Sequence, residues 1–134
     1  MRPTLIIADD NSDMRTLVRS TLYRDYPDVI EAADGRQLFW QLLRTSFVSS
    51  GKVPAQLVVI ADVFMPTYNG LDVLDAWHDR GTHVPVIVIT AFPDDRVRAR
   101  VRKIGGILLP KPFSRTSLRD AVAEAARRSR EPAS

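Results

Sequence analysis

The sequence contains no cysteine, which excludes disulfide bonds and thiolate metal sites. It has only two histidines, His78 and His83, which stand in different local contexts, so we do not expect a zinc site from them. No apolar run approaches the about 20 residues that span a bilayer. The N-terminal MRPTLII does not have the layout of a signal peptide. We therefore expect a cytoplasmic protein without a membrane-bound segment.

The composition indicates one globular domain with an uneven distribution of charge. The chain has 134 residues, of which 45% are hydrophobic and 26% charged, and this excludes a disordered chain. Residues 1–95 carry 8 Lys/Arg and 13 Asp/Glu, a net charge of −5, whereas residues 96–134 carry 11 and 3, a net charge of +8. The basic part is compatible with nucleic acid or an acidic partner, but a solvated helix face is the simpler interpretation.

Five strand-like segments alternate with five amphipathic helical patterns. The segments are TLIIA (4–8), DVIEA (28–32), LVVIA (57–61), VPVIVIT (84–90) and ILL (107–109). The first, third and fourth are almost continuous in apolar and β-branched residues, which is typical of strands covered on both faces. The alternation predicts an α/β fold of five βα units whose ligand site lies beyond the carboxyl ends of the strands. Residues 46–56 are predicted to extend the second helix and then form a loop.

Polar side chains collect at these carboxyl ends. Asp9 and Asp10 follow the first strand, Asp62 follows the third, Thr90 ends the fourth, and Lys111 follows the fifth. Three acids at close range need a cation if all are to be ionised, and hard oxygen ligands suit Mg²⁺. A lysine and a hydroxyl nearby would hold phosphate oxygens. No serine, cysteine or histidine is placed as a nucleophile, so the candidate nucleophile is a carboxylate, which would form an acyl phosphate.

Other phosphate and nucleotide sites do not match the sequence. It contains no GxxxxGK[ST] phosphate loop and no GxGxxG after the first strand. A phosphatase that uses a DxD pair would need an acid two positions after Asp62, where Phe64 stands. Each acid alone is most simply an ordinary loop residue, but five polar residues at strand ends in this order favour one shared site.

Around these residues the sequence resembles the receiver domain of bacterial two-component response regulators. The motifs that carry the resemblance are ADD (8–10), ADVFMPTYNGLDVL (61–74), VIVITAF (86–92) and LLPKPF (108–113), and the similarity covers residues 3–127. It implies a flavodoxin-like three-layer sandwich with a five-stranded parallel sheet in the order 2-1-3-4-5. We expect the receiver domain to occupy residues 1–127 and residues 128–134 to form a C-terminal tail.

The resemblance also implies roles for the polar residues. Asp62 would accept a phosphoryl group from a sensor histidine kinase or a phosphotransfer protein. Asp10 and Asp62 would bind Mg²⁺, Asp9 would bind it directly or through water, and the backbone carbonyl of Phe64 would complete the protein ligands. Mn²⁺ is the alternative ion. The domain would be a signalling module, with no enzymatic activity beyond its own phosphorylation and dephosphorylation.

The remaining motif residues belong to the implied switch. Lys111 would contact the phosphoryl group, and Thr90 would close on it in the active state, with the small Ala91 leaving room for that movement. The Lys111–Pro112 peptide bond would be cis, an isomer that proline makes accessible. At the switch position on the fifth strand the sequence has Leu108, or Ile107 if the alignment gap falls later, where the family usually has Tyr or Phe.

Two further departures from the family pattern concern the surroundings of the site. The segment from Gly35 to Asp62 is several residues longer than is usual, which places an extra loop at residues 46–56. Phe64 and Phe92 lie two positions after Asp62 and Thr90, and we predict slow self-dephosphorylation because two large apolar rings would exclude water. The alternative is that both rings point away from the site.

Phosphorylation would alter the face formed by the fourth helix, the fifth strand and the fifth helix. This face would bind a downstream protein target or form a homodimer, and we assign to it a set of arginines: Arg96, Arg98, Arg100, Arg102, Arg115 and Arg119. The second hypothesis is an interaction module that keeps the fold without phosphorylation. Direct nucleic-acid binding is disfavoured because RRSR (127–130) is short and no helix-turn-helix follows.

Overall fold

The structure is a computed structural model that describes residues 2–48, 56–67, 69–81 and 83–129, without the side chains of residues 46–48. Strands and helices alternate along the chain as the sequence predicts. They are β1 (Thr4–Ala8), α1 (Ser12–Leu22), β2 (Val29–Ala32), α2 (Gly35–Val48), β3 (Leu57–Asp62), α3 (Gly70–Asp79), β4 (Val86–Thr90), α4 (Asp95–Lys103), β5 (Ile107–Pro110) and α5 (Arg115–Ser129).

The five strands form one parallel sheet in the order β2-β1-β3-β4-β5, which confirms the predicted fold class. Ala8 of β1 lies opposite Ala61 of β3, so the residues that follow them, Asp9 and Asp62, emerge side by side. At the other end of the order, Thr90 lies opposite Pro110. The register of the sheet therefore brings the predicted site residues to one edge.

Two hydrophobic layers cover the sheet, one on each face. Alternate residues of a strand point to opposite faces: Ile6 packs with α2, α3 and α4, whereas Leu5 and Ile7 pack with α1 and α5. All three side chains are fully buried. Burial on both faces explains why β1, β3 and β4 are nearly continuous in apolar residues.

Polar side chains fix the first turn of each of the five described helices, and at α2 the capping group is Oδ1 of Asp34, which accepts the amide of Gln37. Asn11 accepts hydrogen bonds from two amides of α1, Asn69 accepts one from α3 and Asp94 accepts one from α4. Ser114 accepts from the amide of Ser117 at the start of α5. Each cap satisfies an amide that has no partner within its helix.

Two predicted boundaries and the prediction on membrane segments can be compared with the structure. Helix α2 continues to Val48, in agreement with the predicted extension, while the rest of the predicted loop, 49–55, lies outside the described residues. Helix α5 runs to Ser129, past the domain end predicted at residue 127. Among the described helices, none combines the length and the apolar content that a membrane crossing needs.

The two histidines are closer than the sequence suggested. His78 at the end of α3 and His83 before β4 contact each other edge to face, with ring centroids 5.0 Å apart. The idea that they stand in separate surroundings is therefore wrong, because the short turn between α3 and β4 folds one ring onto the other. Two imidazoles still fall short of the three or four protein ligands of zinc sites.

Candidate functional site

Three carboxylates meet where β1 and β3 end. Asp9, Asp10 and Asp62 each offer one oxygen, and these oxygens lie within 4.8 Å of one another. Asp9 and Asp62 are buried, whereas Asp10 is exposed. The cluster is therefore open to solvent on one side and walled by the sheet on the other, and its three oxygen donors fit a hard divalent cation such as Mg²⁺.

Asp9 is the acid that is most perturbed by this arrangement. Burial raises its pKa to about 6, and the neighbouring carboxylates of Asp62 and Asp10 act in the same direction. The amide of Asn11, which donates to Oδ1 of Asp9 at 2.9 Å, and the ammonium of Lys111 oppose this rise. The charged form of Asp9 is thus poorly compensated by the chain alone, and a bound cation would compensate it.

Lys111 supplies the positive charge of the site. Its Nζ lies 2.7 Å from Oδ2 of Asp62 and 3.9 Å from Oδ2 of Asp9. The amide of Lys111 donates to the carbonyl of Thr90 at 2.8 Å, which ties the end of β5 to the end of β4. The Lys111–Pro112 peptide bond is cis. A cation that is held over a carboxylate in this way can bind the oxygens of an incoming phosphoryl group.

The loops after β3 and β4 have matching local structures. Oδ1 of Asp62 accepts the amide of Phe64 at 3.0 Å, and Oγ1 of the fully buried Thr90 accepts the amide of Phe92 at 3.0 Å. The two rings contact each other edge to face, with centroids 6.1 Å apart. They remain exposed by 54% for Phe64 and 67% for Phe92, so an apolar bridge joins the two loops at the surface.

Gly70 allows α3 to start directly behind the acid. A Cβ at this position would clash with the backbone carbonyl oxygen of Asp62. The amide of Gly70 donates to the carbonyl of Val63 at 2.9 Å, which holds the helix against the end of β3. Only glycine permits this close approach, which explains the glycine in the motif that follows Asp62.

Arg15 is a residue of the site region that sequence reasoning missed. Its guanidinium donates to the backbone carbonyl of Asp9 at 2.6 Å and to the carboxylate of Glu31 on β2 at 2.9 Å. Arg19, one turn further along α1, binds the second oxygen of Glu31. The four-residue spacing of the two arginines is visible in the sequence, but their partner becomes visible only once β2 is paired with β1.

The switch residues Thr90, Ala91 and Leu108 lie on and after the paired strands β4 and β5. Ala91 is exposed in the loop after β4. Leu108 on β5 lies opposite Val88 and is half-buried against the layer that contains α2, α3 and α4. The described strand β5, Ile107–Pro110, therefore presents no aromatic ring beside Thr90.

At least one of the six arginines assigned to the output face is engaged within the domain. Arg100 binds Asp72 of α3 at 2.7 Å and is thus used to join α3 to α4. On α5, Arg128 reaches the carbonyl of Gly105 at 3.1 Å, next to the start of β5. Arg119 lies nine residues earlier, half a turn around the helix from Arg128.

Comparison with known proteins identifies the family. A family model described as the response regulator receiver domain matches residues 5–123. The chain belongs to the response regulator receiver family. It is thus a receiver domain of the kind found in bacterial two-component systems, a signalling domain whose family typically uses Mg²⁺.

Named relatives support this assignment. The receiver is 32% identical over 127 residues to the transcriptional regulatory protein CpxR of Escherichia coli K12, covering 93% of this chain and 50% of CpxR. It is 31% identical over 126 residues to the sensor histidine kinase TmoS of Ectopseudomonas mendocina, covering 91% of this chain and 12% of TmoS. The receiver therefore spans half or less of these two relatives.

A solved structure supports the fold. The receiver domain of the Francisella response regulator 1452 superposes with a TM-score of 0.79 at 23% identity, covering 96% of this chain and 99% of that one. At this level of identity the similarity concerns the fold alone.

Proposed function

We propose that this receiver is a phosphoacceptor and that Asp62 takes the phosphoryl group from a sensor histidine kinase or a phosphotransfer protein. The observation that supports this best is the position of Oδ2 of Asp62, 2.7 Å from Lys111 and within the cluster formed with Asp9 and Asp10. A phosphoryl group on this oxygen would meet the lysine on one side and the two other acids on the other.

Asp62 is a better acceptor than its neighbours for reasons of geometry. Asp9 is the more buried of the two buried acids, and its Oδ1 is taken by the amide of Asn11. Asp10 is exposed and is not paired with Lys111. Asp62 has one oxygen fixed by the amide of Phe64 and the other bound by the lysine, which holds the carboxylate in one orientation.

In the proposed reaction an oxygen of Asp62 attacks the phosphorus of a phosphohistidine, the new O–P bond forms and the P–N bond breaks. The neutral imidazole leaves with the electron pair of that bond, and Lys111 binds a phosphoryl oxygen. Asp9, Asp10, Asp62 and the backbone carbonyl of Phe64 would hold Mg²⁺, or Mn²⁺ in its place, and the ion would supply charge neutralisation when bound.

The later steps are also proposals. The hydroxyl of Thr90 would turn to the phosphoryl group, with Ala91 leaving room, and the change would reach Leu108 and the face of α4, β5 and α5. That face would bind a downstream protein or form a homodimer, in the cytoplasm. Residues 1–127 would form the receiver and 128–134 a tail. The competing proposal is a protein-interaction module that uses the same fold without phosphorylation.

The test is labelling by a small phosphodonor, acetyl phosphate, with and without Mg²⁺, followed by intact mass and size-exclusion chromatography. We expect Mg²⁺-dependent addition of one phosphoryl group, which Asp62→Asn abolishes. Asp72→Asn, which removes an exposed acid of α3 outside the cluster, should label normally. If Asp62→Asn is labelled as well as the wild type, the assignment of the acceptor is wrong. If nothing is labelled, the interaction module is favoured.

A further inference from the structure

Helix α2 presents a row of three side chains to solvent, Arg36, Trp40 and Arg44, which we name the α2 stripe. Trp40 is 59% exposed, and both arginines are exposed. Leu38 and Leu42 are fully buried and fix the orientation of the helix. Trp40 stands two positions from each of them, about 200° around the helix, so its ring cannot reach the core.

The charges of the α2 stripe are not neutralised within the described part of the chain. Arg36 and Arg44 make no ion pair or hydrogen bond there, whereas Arg15, Arg19 and Arg100 all bind carboxylates. Helix α2 contains no Asp or Glu, and each of the other four helices contains at least one. The stripe is therefore a fixed pair of cations on either side of an exposed indole.

We infer that the α2 stripe is a docking site for an acidic protein surface. Trp and Arg are the residue types that are most enriched among interface residues which dominate binding. Arg36 and Arg44 stand eight residues apart, about 12 Å along the helix axis, with the indole midway. The partner that fits has carboxylates at a similar separation and an apolar side chain between them, as one face of an acidic amphipathic helix provides.

Other occupants fit the α2 stripe less well. A second copy that docked the same stripe on itself would place guanidinium against guanidinium. A membrane would need a broad apolar face, and here Trp40 is surrounded by two arginines and Gln37. A nucleic acid presents a continuous row of phosphates, whereas α2 offers only two basic residues, Arg36 and Arg44.

The α2 stripe is separate from the site at the carboxyl edge. Helix α2 packs on β2, β1 and α3, at the β2 side of the sheet, while α4, β5 and α5 lie towards the opposite side. None of its three residues contributes to the acidic cluster. The inference does not depend on the phosphorylation of Asp62, and the stripe would give the receiver a second contact surface.

The first experiment is photo-crosslinking in the bacterium that makes the protein. p-Benzoylphenylalanine replaces Trp40 in the full chain and, as a matched control, Tyr23, an aromatic side chain that is 62% exposed on another helix end. We expect a discrete protein adduct from position 40 and none of that mass from position 23. Arg36→Glu with Arg44→Glu should abolish it, and Arg2→Glu with Arg24→Glu, two exposed arginines outside the stripe and the output face whose replacement changes the net charge equally, should not.

The captured protein is then purified and titrated against the wild-type receiver. Trp40 fluorescence should shift to the blue on binding. The Kd should rise at least tenfold in the double variant Arg36→Gln with Arg44→Gln. This milder pair serves if the double Glu variant does not fold. Binding should weaken with added salt. No adduct at position 40, an equal adduct at position 23, an adduct with nucleic acid or with a second copy, or insensitivity to the charge changes would each overturn the inference.

Discussion

Lys111 reaches across β4 to bind Asp62: its Nζ lies 2.7 Å from Oδ2, although β3 and β5 are not neighbours in the sheet. The two residues are 49 positions apart in the sequence. A single ammonium thus spans one strand and compensates a carboxylate that stands beside two others. In the metal-free site, most of the positive charge beside the acids therefore comes from Lys111.

Lys111→Met should destabilise the metal-free protein by about 1–2 kcal/mol, because a largely buried carboxylate loses its partner. Mg²⁺ should restore most of this loss by neutralising the same acids. The measurement is urea unfolding with EDTA and with Mg²⁺. Lys103→Met, which removes an exposed partner of Asp75, is the control and should change stability far less than Lys111→Met in either condition. A loss that Mg²⁺ leaves unchanged would contradict the expectation.

Asp9→Asn should stabilise the metal-free protein at pH 7 by about 1–3 kcal/mol. The pKa of Asp9 is raised from 3.8 to about 6 in the folded state, because ionising this buried carboxyl costs more there than in the unfolded chain. The ionised Asp9 therefore opposes folding fully above about pH 6, and this penalty declines as the pH falls from 6 towards 4. Urea unfolding in EDTA at pH 4.5 and pH 7 should show the difference between variant and wild type shrinking at the lower pH.

The comparison of variant with wild type is needed because other acids act with the opposite sign. The pKa of Asp75 is lowered chiefly by its hydrogen bond from Lys103, and that of Glu124 by its bonds from Arg127 and Arg128. Both acids lose their stabilising contribution on acidification, in either protein. A difference that stays constant between the two pH values would show that Asp9 is not the titrating group.

Phe64→Asn and Phe92→Glu should each shorten the life of the phosphorylated receiver on the order of tenfold, about 1.4 kcal/mol of barrier. The two rings bridge the loops that follow Asp62 and Thr90, and removing either opens a path for water. The measurement is loss of label after the phosphodonor is removed. Tyr23→Ala, an exposed aromatic of α1's end, is the control. A wild-type lifetime no longer than those of the variants would exclude the idea.

The sequence predicts the strands well because burial on both faces leaves a direct signal. β1 matches its predicted bounds, 4–8, and β3 adds only Asp62 to the predicted 57–61, while β4 starts two residues late, at Val86. The meeting of Asp9, Asp10 and Asp62 follows from the same fact, since parallel strands end at one edge. Periodicity and strand order thus suffice for the backbone of the site.

The sequence does not predict the contacts that long side chains make. The bond from Arg15 to the carbonyl of Asp9 and the contact between Phe64 and Phe92 depend on rotamers and on loop shape. The prediction that His78 and His83 stand in different surroundings is wrong for the same reason. The assignment of the arginines of α4 and α5 to one face rests on composition. The direction in which each side chain points depends instead on which face of its helix packs on the core.

The acidic cluster has a consequence for how the chain is made. Asp9 and Lys111 stand 102 positions apart, and β5 is the last strand to leave the ribosome. A nascent chain that ends before β5 holds all three acids without their lysine, and it exposes the edge of β4. Docking of β5 therefore brings Lys111 to the three acids and covers the open edge of β4 in one step. Both effects favour the addition of this strand to the sheet.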